Sequence, residues 1–197
     1  MIVTFLRHGS NGFLVVWVLV LVALGLLGLA TLSVFWVAVG ALLFYLSEYS
    51  FHRFAFHARP SRWTWLRRMQ HRLHYDHHAE PNRLDLLFLP IWFLVPNLIL
   101  DGVIITLIVG AERLPAVLLG IGLAILHYEW VHYVAHIPYQ PKTASGRWMK
   151  QYHLRHHFIS EKHWFGVSNP SLDVLYGTYR APKDVEKSAT VRELYPS

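Results

Sequence analysis

The sequence contains no cysteine and few charged residues. Asp, Glu, Lys and Arg make up 15% of its 197 residues, whereas an average soluble domain is about 25% charged. The absence of cysteine excludes disulfides, thiolate zinc sites, iron–sulfur clusters and a cysteine nucleophile. Acidic residues are scarcer than basic ones, at 12 against 18, and 54% of the chain is hydrophobic. A composition this apolar excludes an ordinary soluble domain and a disordered chain.

Long apolar runs account for the missing charge. No charged residue occurs between Arg7 and Glu48, a distance too great for one comfortable membrane crossing of about 20 helical residues. A turn near Gly28 would divide this run into two spans, and two further apolar runs follow. A cleaved signal peptide is the alternative for the first run, but the apolar stretch continues well past any cleavage-like site. The pattern predicts two hairpins with transmembrane helices at about 13–29, 32–50, 86–109 and 114–133.

The basic residues test this topology. Four spans place 1–12, 51–85 and 134–197 on one side of the membrane, and these segments hold 17 of the 18 Lys and Arg residues. This asymmetry predicts that the histidine-rich segments and both termini are cytoplasmic. For a bacterial source, we expect the inner membrane. Because the basic residues flank hydrophobic spans, we expect no nucleic-acid partner.

The remaining segments complete the predicted organisation. Residues 61–79 read as a helix at the membrane surface, with Trp63 and Trp65 at the level of the lipid headgroups. Residues 146–158 read as another short helix. We predict one membrane domain over 1–180 and a solvated C-terminal tail over 181–197.

Histidine is the residue in excess. The chain has 14 histidines, and ten of them form four clusters with metal-ligand spacing. Residues three or four apart share a helix face, so the H-x-x-H-H and H-x-x-x-H clusters can each aim two imidazoles at one place. His52 and His57 are five apart and fit one site best where a helix ends. We predict a two-metal site whose ligands are His52, His57, His74, His77, His78, His132, His136, His153, His156 and His157.

The residues themselves leave the metal open, because imidazole suits iron, zinc, copper and nickel. Neighbouring groups could hydrogen-bond to the ligand rings, although the acids among them fit surface or helix-capping roles equally well. These candidates are Glu48, His71, Asp76, His127, Glu129, His163 and Asp173. The sequence lacks the zincin, dinucleotide-binding, Walker A and serine-elbow motifs. It also lacks the full ligand set of a ferritin-like di-iron site.

The clusters and their surroundings resemble the fatty acid hydroxylase and sterol desaturase superfamily of membrane di-iron oxygenases. The resemblance covers about Glu48 to Tyr179. It includes Glu48-Tyr49 before His52-Arg53, and the run from Tyr128 to Tyr133 around His132. Two later segments also match, namely Tyr152-His153-Leu154-Arg155-His156-His157 and Phe165-Gly166-Val167-Ser168 with Pro170, Asp173 and Gly177-Thr178.

This resemblance implies an all-α integral membrane protein. Four transmembrane helices in two hairpins would carry a cytoplasmic helical cap that holds a histidine-rich dimetal site. Two iron ions would use O₂ to attack an unactivated C–H bond of a lipid, although zinc could occupy the site in preparations. An external donor, a cytochrome b5-like protein or a ferredoxin, would supply electrons.

The substrate class stays open at this stage. The first hypothesis is a hydroxylase acting on a long acyl chain of the fatty acid or sphingolipid type. The second is a hydroxylase or desaturase of sterols, hopanoids or carotenoids. The third, from another class, is a membrane metal-binding protein without enzymatic activity. Transporters place polar ligands near the bilayer midplane, whereas these histidines lie mostly outside the spans, so the third hypothesis is the weakest.

Overall fold

The computed structural model of the chain describes residues 1–195, and no strand occurs among them. Ten α-helices lie within these residues, some joined by short π-helical turns. Their bounds are α1 Ile2–Arg7, α2 Gly9–Leu26, α3 Val34–Ser50, α4 Thr64–Gln70, α5 Asp76–Ala79, α6 Leu84–Leu87, α7 Ile91–Val109, α8 Leu114–His136, α9 Ala144–Phe158 and α10 Ser171–Leu175.

The four predicted membrane spans are confirmed as helical segments long and apolar enough to cross a membrane. They run over Gly9–Leu26, Val34–Phe56, Leu84–Val109 and Leu114–His136. The protein is therefore an integral membrane protein. The first span begins four residues earlier than predicted and the second ends six residues later. Apolarity alone does not mark helix ends, because polar residues can extend a helix once its first turns have formed.

The first of two structural units comprises Met1–Tyr45 and Leu89–Glu129. Its core is aliphatic and its surface is apolar as well, with Leu26, Val34 and Leu107 more than 80% exposed. An apolar outer surface of this extent suits hydrocarbon better than water. The buried core side chains are Leu14, Leu94, Leu98, Ile105, Val117, Ile121 and Ile125.

Two glycines allow α3 and α8 to cross closely in this unit. A Cβ atom placed on Gly40 would lie 2.0 Å from the carbonyl oxygen of Val117. A Cβ on Gly120 would lie 2.0 Å from the carbonyl oxygen of Val37. Each backbone therefore occupies the space left by the glycine of the other helix, as in small-residue interfaces of membrane helices.

The turn expected near Gly28 is present. Helix α2 ends at Leu26, and Gly28 has a φ of 72°. This left-handed conformation is favourable for glycine and costly for other residues. The amides of Leu29 and Ala30 donate to the carbonyl of Leu24, which satisfies the end of the helix.

The second unit comprises Leu46–Phe88 and 130–195, and it contains the predicted surface helices. The first of them begins at Thr64 and not at Ser61, because the Ser61 hydroxyl accepts from the amide of Trp63 and does not cap the helix. The second begins at Ala144, two residues before its predicted start. Thr143 caps it by accepting from the amide of Gly146 at 3.1 Å.

The C-terminal segment differs from a solvated tail at two positions. Val191 is 3% exposed and Leu194 is 8% exposed. The intervening and preceding residues are largely exposed, which is why the composition of this segment suggested a tail. Burial of two apolar side chains holds the segment against the second unit. Pro196 and Ser197, the last residues of the predicted tail, lie outside the described residues.

Candidate metal centre

The ten histidines of the four clusters come together as two groups of five in the second unit. Within each group, one ring nitrogen per residue lies within 4.8 Å of the corresponding nitrogens of the other four. The first histidine group is His52, His57, His74, His78 and His156. The second histidine group is His77, His132, His136, His153 and His157.

The Nε2 atoms converge at short distances within each group. In the first group, the Nε2 of His57 lies 2.7 Å from that of His74 and 2.9 Å from that of His156. In the second group, the Nε2 of His136 lies 2.9 Å from that of His153. Lone pairs gathered this closely repel one another unless a proton or a cation lies between them. Such convergence is the arrangement that a metal ion requires of imidazole ligands.

Adjacent histidines divide between the two groups. His78 belongs to the first group and His77 to the second, and His156 and His157 are divided in the same way. Neighbours on a helix point about 100° apart, so each doublet faces two directions. The rings of His78 and His157 stack with centroids 4.2 Å apart, so the two groups are in direct contact.

A π-helical turn explains how His52 and His57 join one group. Helix α3 continues as a π-helix over Phe51–Phe56, and the amide of His57 donates to the carbonyl of His52 at 3.2 Å. An i→i+5 hydrogen bond adds one residue to the turn and places the two side chains on the same side. Their ring centroids are 5.1 Å apart. Sequence spacing indicated a helix end here, whereas the structure widens the helix.

Backbone carbonyls hold the outer nitrogens of three rings in the first group. The Nδ1–H of His156 donates to the carbonyl of His163 at 2.8 Å, and that of His78 donates to the carbonyl of Val191 at 2.8 Å. The Nδ1–H of His52 donates to the carbonyl of Phe165. Each bond fixes the tautomer in which Nε2 carries the lone pair, and it also fixes the ring plane.

Trp164 lies between His163 and Phe165, whose carbonyls accept two of these hydrogen bonds, and it has an unusual backbone conformation. Its φ is 60° and its side chain is fully buried. A bulky residue in the left-handed region is strained by roughly 1–3 kcal/mol. The indole Nε1–H donates to the carbonyl of Arg180 at 3.0 Å, and the backbone amide donates to the carbonyl of Thr178. These bonds hold the strained residue, and with it the carbonyls of His163 and Phe165.

Asp173 holds the loop that contains Trp164, Phe165 and Gly166. Its carboxylate accepts from the amides of Phe165 at 2.9 Å and Gly166 at 2.7 Å. It also accepts from the hydroxyls of Tyr152 at 2.8 Å and Thr178 at 2.6 Å. Asp173 thus acts on the loop backbone, and the loop backbone in turn holds His52. Gly166 is required here, because a Cβ atom on it would lie 2.2 Å from the carbonyl oxygen of Asn169.

Glu48 holds the next part of the loop. One carboxylate oxygen accepts from the amides of Val167 at 2.7 Å and Ser168 at 2.9 Å, and the other accepts from the Ser168 hydroxyl. Its carboxylate therefore contacts a loop backbone, where the sequence suggested contact with a ligand ring. A buried carboxylate needs such partners to offset its loss of hydration.

The other expected neighbours lie in different surroundings. His71 and Asp76 pair with each other at 2.9 Å, and both side chains are about half exposed. His163 contributes its carbonyl to the centre, as described above. In the first unit, the hydroxyl of Tyr45 lies 3.0 Å from Nδ1 of His127. Glu129, also in that unit, is fully buried and accepts from the amide of Leu89 at 2.9 Å.

Burial keeps the imidazoles of this centre neutral. Nine of the ten are buried, and His57 is partly buried. Loss of hydration lowers the pKa of His77 from 6.5 to about 3. The same cause lowers the pKa of His57, His74, His78, His153, His156 and His157 well below the ordinary value. Neutral imidazole is the form that binds a metal.

Unpartnered nitrogens inside the centre fit a metal. The Nε2 of His52 and both ring nitrogens of His157 are buried without a hydrogen-bond partner. Buried polar atoms without partners are costly and call for an explanation. A cation bound by each group would satisfy the Nε2 of His52 and one ring nitrogen of His157, so the donor set of each histidine group fits a metal ion.

Sequence reasoning missed the carbonyl acceptors of His163, Phe165 and Val191. Backbone atoms leave no residue-type signal, so only the match of the segment around Phe165 to a known family pointed toward that loop. It also missed the hydroxyls of Tyr152 and Thr178 that share Asp173. Their spacing from Asp173 follows no local pattern.

The family is settled by comparison with known proteins. The model of the fatty acid hydroxylase family matches residues 37–178, which is most of the chain and includes all ten clustered histidines. The chain belongs to the fatty acid hydroxylase family. The full-length Scs7p structure, in which only the hydroxylase domain is visible, has the same fold with a TM-score of 0.77. It is 26% identical, and the match covers 88% of this chain and 67% of that one.

Relatives with named activities come from both plants and mammals. Dihydroceramide fatty acyl 2-hydroxylase FAH2 of Arabidopsis thaliana is 32% identical over 78% of this chain and 64% of its own. The corresponding plant protein FAH1 is 29% identical over 77% of this chain and 63% of its own. Human fatty acid 2-hydroxylase is 31% identical over 74% of this chain and 39% of its own. The chain thus spans less than two thirds of the length of these relatives.

Proposed function

We propose that this protein is a membrane-bound, O₂-dependent lipid hydroxylase acting on the acyl chain of a fatty acid or sphingolipid. The observation that carries the proposal is the pair of five-histidine groups in a chain of the fatty acid hydroxylase family. The names of the relatives favour an acyl chain over a sterol and favour position 2 as the carbon attacked.

In this proposal, each histidine group holds one iron ion, and the ten clustered histidines are the ligands. Iron bound by neutral imidazoles supplies the capacity to reduce O₂ and to oxidise an unactivated C–H bond. The protein's own contribution is to hold the rings. The carbonyls of His163, Phe165 and Val191 keep three Nδ1–H groups turned outward, so their Nε2 atoms remain available.

Exclusion of water is the second contribution of these residues. His77, His78, His153, His156 and His157 are at most 1% exposed. A site this dry protects a reactive oxidant from side reactions and strengthens the interactions that orient the substrate. An acyl chain offers few polar handles, so the position of attack along the chain must come from the shape of the pocket.

The reaction also defines a partner. Hydroxylation by O₂ places one oxygen atom in the product and reduces the other to water, which consumes two electrons and two protons. We propose that a separate cytochrome b5-like protein or a ferredoxin supplies these electrons. The basic segments 51–85 and 134–197 support a cytoplasmic position for the histidine groups and both termini. A reporter fused to the C-terminus tests this orientation.

The test of the proposed function is lipid mass spectrometry of a host that expresses the protein and makes ceramide. We expect the host to gain lipids heavier by one oxygen atom, with the hydroxyl on carbon 2 of the acyl chain by fragmentation. The His156→Ala variant should lack these lipids. The His71→Ala variant is the matched control, because His71 pairs with Asp76 at the surface, and it should retain them. Loss of two hydrogens in place of oxygen gain would identify a desaturase.

A further inference from the structure

The segment 188–195 lies beyond the residues that match the family, yet it is attached to the metal centre. We name it the C-terminal strap. The family match ends at residue 178, and the composition of the strap predicts a solvated tail. Val191 and Leu194 are nevertheless buried, at 3% and 8% exposure. Burial of both aliphatic side chains draws the strap onto the second unit.

The strap is fixed at its start by a buried acid. The amide of Ser188 donates to the carbonyl of Ile159 at 2.7 Å, just after the end of α9. The hydroxyls of Ser188 and Thr190 donate to one carboxylate oxygen of Glu161, at 3.0 and 2.8 Å. Glu161 is 8% exposed, so these bonds replace hydration that the carboxylate has lost.

The strap then reaches two histidines, and both belong to the first group. The carbonyl of Val191 accepts from the Nδ1–H of His78 at 2.8 Å. The guanidinium of Arg192 donates to the carbonyls of His78 at 3.0 Å and Ala79 at 2.6 Å. The hydroxyl of Tyr195 donates to the carbonyl of His57 at 2.7 Å. His78 is therefore held at its ring and at its backbone by consecutive strap residues.

These contacts act on the chemistry of the first group. Helix α5 ends at Ala79, so the carbonyls of His78 and Ala79 have no partner within the helix, and a cation suits them. Arg192 thereby holds the end of the helix that carries His78. The bond from His78 to Val191 keeps the proton on Nδ1, which leaves Nε2 free to bind a metal.

We propose that the C-terminal strap is a positioning element of the metal centre, and that it controls how tightly the first histidine group retains its metal. The proposal rests on the proposed ligand set. Loss of a hydrogen-bonding partner of a ligand typically weakens metal affinity by about 10- to 100-fold. We expect a loss of that size at the first group, and an unchanged affinity at the second group.

The test is made on the full-length chain with the Arg192→Ala, Tyr195→Phe double variant. Metal content per chain is measured after purification and during timed exposure to a chelator. The wild type should hold about two ions, one for each group. The double variant should release the ion of the first histidine group roughly 10- to 100-fold faster than the wild type does. Glu193→Gln and Lys187→Ala change exposed charges in the same region and should behave as the wild type.

Two backgrounds identify the group that is affected. In a His153→Ala background, only the first group is complete, and the strap substitutions should accelerate release of the remaining ion. In a His156→Ala background, only the second group is complete, and the same substitutions should leave release unchanged. A strap with a merely structural role would accelerate release in both backgrounds, and that result overturns the proposal.

A third variant removes the buried contacts, which could keep the strap attached in the double variant. Val191→Asp places a charge at a buried position and should detach the strap together with the carbonyl that holds His78. Circular dichroism of the metal-free proteins shows whether each variant is folded. Metal release at the wild-type rate in folded Val191→Asp and in the double variant overturns the proposal. A wild type that binds no metal would instead refute the ligand set.

Discussion

The Nζ of Lys150 lies 2.7 Å from the carbonyl oxygen of Ile137, one residue beyond the end of α8. The same ammonium donates to the carbonyls of Val134 and Tyr139, both at 3.0 Å. Three backbone acceptors at a helix C-terminus are thus satisfied by one cation from α9. Because α8 carries His136 and α9 carries His153, this contact holds together the two helices that supply these members of the second histidine group.

Lys150→Met tests this contact. Methionine keeps the length of the side chain but leaves three carbonyls without their donor, and hydrogen bonds to charged groups contribute about 1.5–3 kcal/mol. We expect the free energy of unfolding to fall by about 2 kcal/mol and the second group to release metal faster. Thermal unfolding and chelator-dependent metal release measure both effects. Lys142→Met, at an exposed position, is the control, and equal behaviour of the two variants would contradict the prediction.

Asp173→Asn tests the loop that holds His52. The carboxylate accepts four hydrogen bonds, whereas an amide presents one oxygen and places donors against the remaining N–H or O–H groups. We expect a loss of about 2 kcal/mol in unfolding free energy and a lower metal content. The exposed Asp184→Asn serves as the comparison. An Asp173→Asn protein with full stability and full metal content would show that the loop is held by other contacts.

The crossing of α3 and α8 gives a prediction for the first unit. Gly120→Ala places a methyl group 2.0 Å from the carbonyl oxygen of Val37, so the helices must move apart. Overpacking of this kind costs about 1–3 kcal/mol. Gly102→Ala on α7 is the control, because its nearest neighbour would lie 3.9 Å away. Thermal unfolding in detergent should separate the two variants, and a Gly120→Ala protein as stable as Gly102→Ala would refute the close crossing.

The lowered histidine pKa values predict how stability depends on pH. In the unfolded chain histidine takes up a proton near pH 6.5, whereas folded His77 does so only near pH 3. The unfolded state therefore binds more protons over this interval, and stability falls as the pH decreases through it. We expect the metal-free protein to melt at steadily lower temperatures as the pH decreases below 6.5. A melting temperature that stays level or rises down to pH 5 would refute the neutral cluster.

The exposed tryptophans test the predicted membrane-surface segment. Trp63 and Trp65 are 54% and 64% exposed, and their rings stack 6.2 Å apart. Together with Arg62, Thr64 and Arg68 they line an open cleft of about 690 Å³. Such a surface suits anionic headgroups.

We therefore expect brominated lipids in anionic vesicles to quench part of the tryptophan fluorescence, and the Trp63→Phe, Trp65→Phe double variant to lose that part. Trp148→Phe is the matched control, because the ring of Trp148 packs against Tyr152. Quenching of equal size in the wild type and the double variant would place the segment away from the lipid.

The sequence was sufficient for the spans and for the gathering of the histidines. Hydropathy predicts four helices because a bilayer demands long apolar segments. The H-x-x-H-H clusters that begin at His74 and His153 predict gathered imidazoles, because residues three or four apart share a helix face. The π-turn at His52 was not predictable, since no residue pattern separates it from a helix end. The carbonyl of Val191 was equally hidden, because it reaches His78 from 113 residues away.

The division of adjacent histidines has a consequence for the spacing of the two groups. His77 and His78 are joined by one peptide bond, as are His156 and His157, and each pair serves both groups. Neighbouring Cα atoms lie about 3.8 Å apart across a trans peptide. Each doublet therefore ties a member of one group to a member of the other through a single peptide unit, so the groups cannot separate without a change in the backbone of α5 and α9. Substitutions around one group can change the packing of its rings, but they leave the covalent link between the two groups in place.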